Sequence, residues 1–360
     1  MAAIGTVCVG MSGGVDSTVT AWLLQREGYE VIGVTMQIWD GTVPLADAGR
    51  SGCYGPGEAR DLESARAVAA RLGIPHVVVP LAGEYRRRVL DYFRSEYRAG
   101  RTPNPCVVCN QQMKFGLLLE RVREQGIACD WFATGHYVRV VRAGGRCRLL
   151  RGVDARKDQS YFLARLTQEQ LRSAMFPLGG LTKPEVVRRA RAAGFADIAA
   201  REESQDFIES DDYAPLFQPT DNRPGPIVDT TGRVLGEHRG IVHYTVGQRE
   251  GLGVAAAHRL YVKELRPATN TVVLARRDEV LSNGCRVAEV NWISGAAPAD
   301  GAACVVQLRY RHRGVAATLH REPTAGVWRA EFAAPQFAVT PGQAAVFYAG
   351  DEVLGGGWIC

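Results

Sequence analysis

Apolar positions in the first part of the chain come in two alternating rhythms. "IGTVCVGM" (4–11), "VIGVTMQIW" (31–39) and "PHVVVPL" (75–81) are short and nearly all apolar, as strands buried on both faces are. "DWFATGH" (130–136) reads as a further strand running into a loop. Helical stretches lie between them. "DSTVTAWLLQREGY" has Asp16 near its start and Gly28 after its end. "DLESARAVAARLGI" puts Leu62, Ala65, Ala69 and Leu72 on one face before Gly73. "GEYRRRVLDYFRSEYRAG" ends at Gly100. This alternation predicts an α/β fold, a doubly wound parallel sheet with its sites at the carboxyl ends of the strands. After about residue 205 the rhythm changes, and "NRPGPIVDTTGRVLGEHRGIVHYTVGQREGLGV" (222–254) is rich in glycine and β-branched residues. From residue 280 short strands follow closely: "CRVAEVNWI", "ACVVQLRYR", "VAATLH", "VWRAEF" and "AAVFYAG". They predict a small C-terminal β-barrel. The expected organisation is an α/β unit over 1–205, a small linking unit over 206–279 and a β-barrel over 280–360.

Composition narrows the class. Of 360 residues, 46% are hydrophobic and 22% charged, as in an ordinary globular protein. "MAAIGTVCVGMSGG" lacks the basic start of a secretory leader, and no apolar run is long enough for a membrane span, so a cytoplasmic protein is expected. Nine cysteines, odd in number and irregularly spaced, do not form a secreted disulfide pattern. Cys8 and Cys304 fall inside strand-like runs and read as small buried hydrophobes. The formal charge of +5 is compatible with an anionic partner without arguing strongly for one.

The turn after the first strand carries the first chemistry. "GMSGGVDS" (10–17) joins a buried strand to a helix start. Its glycines permit a sharp turn, and its exposed amides with the helix N-terminus make an anion site. Ser12 and Ser17 add hydroxyl donors. The lysine of a Walker A loop is missing, and so is a G-x-G-x-x-G string. On residue types alone a ligand-free β–α turn is the plain alternative. The ordered string "SGGVDS" resembles the pyrophosphatase loop of the ATP-pyrophosphatase superfamily. Its members cleave ATP between the α- and β-phosphates, adenylate a substrate oxygen and release pyrophosphate. Asp16 would then be the partner of Mg²⁺, which takes up charge on the leaving pyrophosphate.

Five further strings occur in order: "TPNPCVVCNQQMKF" (102–115), "FATGHYVRV" (132–140), "KDQSYFL" (157–163), "GEHRGIVHYTVGQREGLGV" (236–254) and "TPGQAAVFYAGDEVLGGG" (340–357). Together they resemble the tRNA-specific 2-thiouridylase (MnmA) family over almost the whole chain. The resemblance implies a tRNA of the Lys, Glu or Gln type as substrate. ATP would adenylate the C2 oxygen of the wobble uridine, and a cysteine-borne sulfur would replace it and expel AMP. It implies ATP binding by Gly10, Met11, Ser12, Gly13, Gly14, Val15, Asp16, Ser17, Met36 and Gly135. Asn104, Pro105 and Cys106 would line a pocket for the flipped-out base. His136, Lys157, Asp158, Gln159, Arg309, Tyr310 and Gln343 would contact tRNA. Cys109 would be the thiolating nucleophile. A cysteine desulfurase or relay protein would donate the sulfur, and the chain would act as a monomer. Plainer readings stand beside these. "KDQS" can be a polar turn and His136 a satisfied loop histidine. Arg309, Arg311 and Arg313 can be the solvated face of a strand. Arg86, Arg87 and Arg88 read as a solvated helix face.

One departure matters. The family's second sulfur-carrying cysteine lies in a string like "DSQxICF", and the matching region here is "EESQDFIES" (202–210). Glu203, Ser204, Gln205 and Asp206 align, Phe207 and Ile208 follow directly, and the Ile-Cys pair is missing. No cysteine lies between Cys147 and Cys285. Two sulfur routes are open. In one, Cys106 resolves the reaction at Cys109 as a C-x-x-C disulfide. In the other, Cys53, Cys106 and Cys109 hold a [4Fe-4S] cluster with one open iron. An impaired enzyme is a third outcome. A different ATP-pyrophosphatase and a non-catalytic RNA-binding protein are the rival functions.

Overall fold

β1 (Thr6–Gly10) buries Val7, Cys8 and Val9 completely. Such a strand needs neighbours on both edges and cover on both faces. In the computed structural model, which describes residues 3–47, 52–201, 206–210 and 212–360, it has both. β1 pairs in parallel with β2 (Glu30–Gln37) and β5 (Trp131–Ala133). β2 pairs with β4 (His76–Pro80), and β5 with β8 (Ala174–Met175). The order β4-β2-β1-β5-β8 is the expected doubly wound sheet. α1 (Val15–Arg26) leaves the turn after β1, and α2 (Glu58–Leu72) packs beside it and ends on left-handed Gly73. A short strand, β3 (Gly52–Tyr54), pairs in parallel with β9 (Asp206–Ile208), on the far side of this unit in sequence. Glu203, Ser204 and Gln205 of the departing string lie outside the described residues.

Two long helical segments contain π-helical turns. One runs over 82–98 with its wide turn at Arg86–Leu90, and Arg87 and Arg88 are exposed there as expected, while Arg86 pairs with Asp40. The other runs over 105–124 and holds the wide turn Cys109–Leu117. No helix among the described residues is long and apolar enough to cross a membrane.

The hairpin β6 (Val138–Ala143) and β7 (Arg146–Arg151) holds buried Cys147 and reaches out of the α/β unit to pair with the C-terminal sheet. In the middle region β10 (Gly225–Val228), β11 (Val234–His238), β12 (Tyr261–Arg266) and β13 (Thr271–Ala275) form a sheet ordered β11-β10-β13-β12. The C-terminal strands are β14 (Leu281–Trp292), β15 (Ala302–Gln307), β16 (Val315–Arg321), β17 (Trp328–Phe337), β18 (Ala344–Ala349) and β19 (Glu352–Ile359). Their order β14-β17-β16-β15-β18-β19, with β19 pairing back on β14, is a closed barrel.

The strand reading of "ACVVQLRYR" is corrected here. β15 stops at Gln307, and Arg309, Tyr310 and Arg311 form the turn to β16. His312 Nδ1 accepts the backbone N–H groups of Leu308 and Gly314, and Gln307 Nε2 donates to the carbonyls of Arg309 and Tyr310. These local bonds replace a ladder.

The middle region is tied to the α/β unit by one well-formed ion pair. Arg98 donates from Nε and a terminal nitrogen to the two oxygens of Asp221, at 2.7 and 2.8 Å. The guanidinium holds the Asp221 carboxyl below its usual range. Its stabilisation is therefore present above the ordinary carboxylate pKa and disappears as pH falls through the depressed value. Asp221→Asn is expected to lower stability by about 1 kcal/mol at neutral pH. The gap from wild type should close in acid, as read by urea midpoints at pH 7 and pH 3. An equal gap at both pH values would disprove the pairing.

Candidate active site

The turn after β1 is built by its own hydroxyls. Ser17 Oγ donates to the Gly14 carbonyl at 3.1 Å and accepts the Ser12 N–H at 3.3 Å. Thr18 Oγ1 donates to the same carbonyl at 2.8 Å. Met11 is pinned to β2 through the Val34 carbonyl, and Thr35 Oγ1 donates to the Met11 carbonyl at 2.7 Å. Gly13 is left-handed, with φ of +74°, and lies on α2. A Cβ there would come within 2.6 Å of Ser64 Oγ. Gly135, after β5, passes equally close to the start of α1, where a Cβ would meet Asp16 Cβ at 2.9 Å. The structure thus brings Gly10–Ser17 and Gly135 together at the carboxyl edge of the sheet, with Met36 near the end of β2 on the same edge.

Asp16 does not stand alone. Its Oδ1 accepts from the Tyr137 hydroxyl and from Lys183 Nζ, each at 2.7 Å. Oδ2 accepts no hydrogen bond among the described residues. Neither Tyr137 nor Lys183 was found from the sequence. Lys183 lies 167 residues from Asp16, and its only local signal is a helix start, with the Thr182 and Glu185 capping box and Pro184.

The cysteine segment is a helix, which its string did not show to pattern reading. The Asn104 side chain accepts the Val107 N–H at 3.3 Å and Pro105 occupies the first turn, two recognisable start signals. From Cys109 the helix widens into its π-helical turn. Such segments are frequent at functional sites, and their i→i+5 bonding brings Lys114 back over Cys109. Burial pushes the Cys109 thiol up to about 11, Lys114 pulls it down, and Cys53 pushes it up. Lys114 in turn senses Cys109, Cys53 and Cys106, so the three thiols share one neighbourhood with it. Cys53 arrives there on β3, the strand that pairs with 206–208, the segment that lacks the expected cysteine. Asn110, next to Cys109, is buried, and its Oδ1 has no hydrogen-bond partner among the described residues.

His136 lies between Phe115 and Phe176, with ring centres 6.2 and 6.3 Å away, and shares a 2.7 Å hydrogen bond between Nδ1 and Thr134 Oγ1. Burial and the charge of Lys114 push its pKa down to about 3, so the imidazole is neutral. The other candidates hold loops. Asp158 accepts from Arg151, the Gly152 and Ser160 amides and Ser160 Oγ. Gln159 Oε1 accepts the Tyr137 N–H at 3.0 Å. Lys157, two residues before Gln159, is half-buried. Gln343 Nε2 donates to the carbonyls of Thr102 and Pro103, both at 3.0 Å, so the barrel grips the chain just before Asn104. Arg309 is exposed, and Tyr310 packs at a tilt against Phe162 with ring centres 4.4 Å apart, while the Phe162 carbonyl accepts from Asn110 Nδ2.

Comparison with known proteins places this edge in a family. Residues 5–209 match the model described as tRNA methyl transferase HUP domain, 216–276 the PRC-barrel domain of the same name, and 282–359 the aminomethyltransferase beta-barrel domain. The chain is 47% identical to the tRNA-specific 2-thiouridylase MnmA of Geobacter metallireducens, over 98% of this chain and 96% of that protein. The chain belongs to the tRNA-specific 2-thiouridylase family. Its counterpart in Lachnoclostridium phytofermentans is 43% identical over 98% of this chain and 99% of that one. Among solved structures, a 4-thiouridine synthetase–RNA complex with bound ATP is similar with a TM-score of 0.33 and 18% identity, over 55% of this chain and 43% of that one.

Family membership raises two questions of fit. For Mg²⁺, an Asp16 oxygen that accepts no hydrogen bond among the described residues, beside a phosphate cradle, suits a hard cation that uses few protein ligands. For an iron–sulfur cluster, no three His, Cys, Asp or Glu side chains among the described residues are arranged to hold a metal. Cys53, Cys106 and Cys109 are each close enough to the Lys114 ammonium to raise its pKa.

Proposed function

We propose that this protein makes 2-thiouridine at the wobble position of tRNA of the Lys, Glu or Gln type, acting as a monomer on sulfur supplied by a persulfide donor protein. The observation that supports it best is the link between an anion cradle and a cysteine helix: Gly135 packs against Asp16, and the next residue, His136, has its ring centre 6.2 Å from that of Phe115. The cradle is the Ser12–Ser17 turn with Asp16, and the helix presents Cys109 beside Lys114. The amides of Gly13 and Gly14 and the hydroxyls of Ser12 and Ser17 would bind the phosphates of ATP. Mg²⁺ on Asp16 would neutralise the departing pyrophosphate. The uridine, turned out of its stack, would enter beside Asn104, Pro105 and Cys106. Its C2 oxygen attacks the α-phosphorus, forming an O–P bond as the bond to pyrophosphate breaks. The terminal sulfur of a Cys109 persulfide then attacks C2, and AMP leaves with the oxygen. A second thiol, Cys106 or Cys53, attacks Cys109 Sγ, leaving sulfur on the base and a disulfide that a dithiol reductant reopens. His136, neutral and half-buried, would offer a hydrogen bond to the nucleic acid without a charge.

The test is direct. With unmodified tRNA, ATP and a persulfide donor, AMP release should depend on tRNA, and digested tRNA should contain 2-thiouridine by mass spectrometry. AMP release without tRNA, or thiolation at another base, would sink the reading.

A further inference from the structure

The anion cradle has a gap in its chemistry. Its amides and hydroxyls are neutral donors, and the loop sequence carries no lysine. Pyrophosphate is a highly charged leaving group, and neutral donors leave most of that charge to the metal. A cation reaches the cradle's aspartate from elsewhere in the chain. Lys183 is the first residue of the helix Lys183–Ala192, and its Nζ reaches the first turn of α1, at Asp16.

Its surroundings fix it in place. The Lys183 N–H donates to Asp154 Oδ2 at 2.9 Å, and Thr182 caps the helix with Glu185 at 2.7 and 2.8 Å. The ammonium also lies 5.9 Å from the centre of the Tyr137 ring, over its face. The Lys183 side chain is 15% exposed and that of Asp16 28% exposed, so the pair sits in a partly dry cleft where a charge acts strongly. Asp16 cannot serve Lys183 and a divalent cation equally. A metal drawn to the carboxylate by phosphate would weaken its hold on the ammonium.

We propose that Lys183 is the phosphate-binding cation of this site, held by Asp16 in the empty enzyme and released to the β- and γ-phosphates when Mg²⁺ and a nucleoside triphosphate arrive. The carboxylate exchanges one cation for another, and no covalent bond changes in the exchange. Lys183 then contacts the group that leaves rather than the adenylate that stays. The proposal rests on the cradle being the ATP site.

The difference between leaving and staying groups gives the test. In titration calorimetry with Mg²⁺, Lys183→Met is expected to lower affinity for ATP and for pyrophosphate about 10- to 100-fold, and to leave AMP affinity within about twofold. Lys183→Gln keeps a hydrogen-bond donor for Asp16 and should show the same split, which separates lost charge from a disturbed fold. Lys183→Arg should recover part of the loss. Unchanged pyrophosphate affinity in both Met and Gln variants, or an equal loss for AMP and ATP in the Gln variant, would overturn the role. Wild-type protein that binds neither ATP nor AMP would instead sink the nucleotide site itself.

Discussion

Cys109→Ser is expected to abolish 2-thiouridine formation, by about 10³-fold or more, while tRNA-dependent release of pyrophosphate, the product of adenylation, continues. The two halves of the reaction separate because they use different parts of the edge. Adenylation needs the cradle, Asp16 and a positioned base. Sulfur transfer needs a side-chain atom that can carry a second sulfur, and a serine oxygen cannot. The substitution is nearly isosteric in a half-buried site, so folding should be preserved, and mass spectrometry of digested tRNA alongside a pyrophosphate assay reads both halves. Two companion variants distinguish the sulfur routes. If Cys106 resolves the adduct, Cys106→Ser traps the tRNA on Cys109 through a disulfide that added thiol opens to free 2-thiouridine, while Cys53→Ser is mild. If Cys53 resolves it, the pattern reverses. Loss of thiolation in both with no trapped adduct, together with iron and labile sulfide in anaerobically purified protein, would restore the cluster route. Full thiolation by Cys109→Ser would remove the nucleophile assignment altogether.

The second large effect is expected at a residue with no side chain. Gly13→Ala should lower ATP affinity by about 100-fold without a comparable loss in tRNA binding. Two separate costs act there. The left-handed backbone, at φ of +74°, costs an alanine about 1 kcal/mol. The new methyl would also lie 2.6 Å from Ser64 Oγ, 2.7 Å from Ser64 Cβ and 3.0 Å from the Ala65 amide. Backbone on α2 cannot yield as a flexible side chain could, so the turn moves and its amides lose their aim at the phosphates. Adding Ser64→Gly removes the first two contacts and leaves the amide and the backbone angle, so partial recovery is expected in calorimetric titration with ATP. Full recovery would mean that the angle is unimportant, and wild-type affinity in Gly13→Ala alone would remove the cradle from ATP binding.

Much of this edge could be read from the sequence because its signals are local. The parallel sheet showed itself in apolar runs such as "VCVG", and the cradle in a glycine turn between strand and helix. Non-local contacts were not legible. Lys183 meets Asp16 only because the helix after β8 folds back onto α1. Cys53 meets the segment 206–208 through a two-stranded ladder whose members are remote in the chain. The helix of Cys106 and Cys109 was hidden by its valines and prolines, though Asn104 and Pro105 mark its start. Arg309 and Arg311 kept strand-like alternation past the point where Gln307 and His312 turn the chain. β19 was missed because "LGGGW" argues against a strand. Those glycines are needed for close approach, since a Cβ at Gly355 would lie 2.2 Å from the Asn291 carbonyl and one at Gly357 2.4 Å from that of Ala288.

That last strand also bears on how the protein is made. β19 holds the "TPGQ" turn, with the Gly342 amide on the Ile359 carbonyl and the Ile359 amide on the Gln343 carbonyl. Gln343 in turn grips Thr102 and Pro103, the residues that lead into Asn104 and the cysteine helix. A ribosome-bound chain still lacking β19 would have its nucleotide cradle and its nucleophile, but the turn that carries Gln343 would lack its partner strand. The segment that leads into the nucleophile helix therefore gains its last restraint only when the final strand is made.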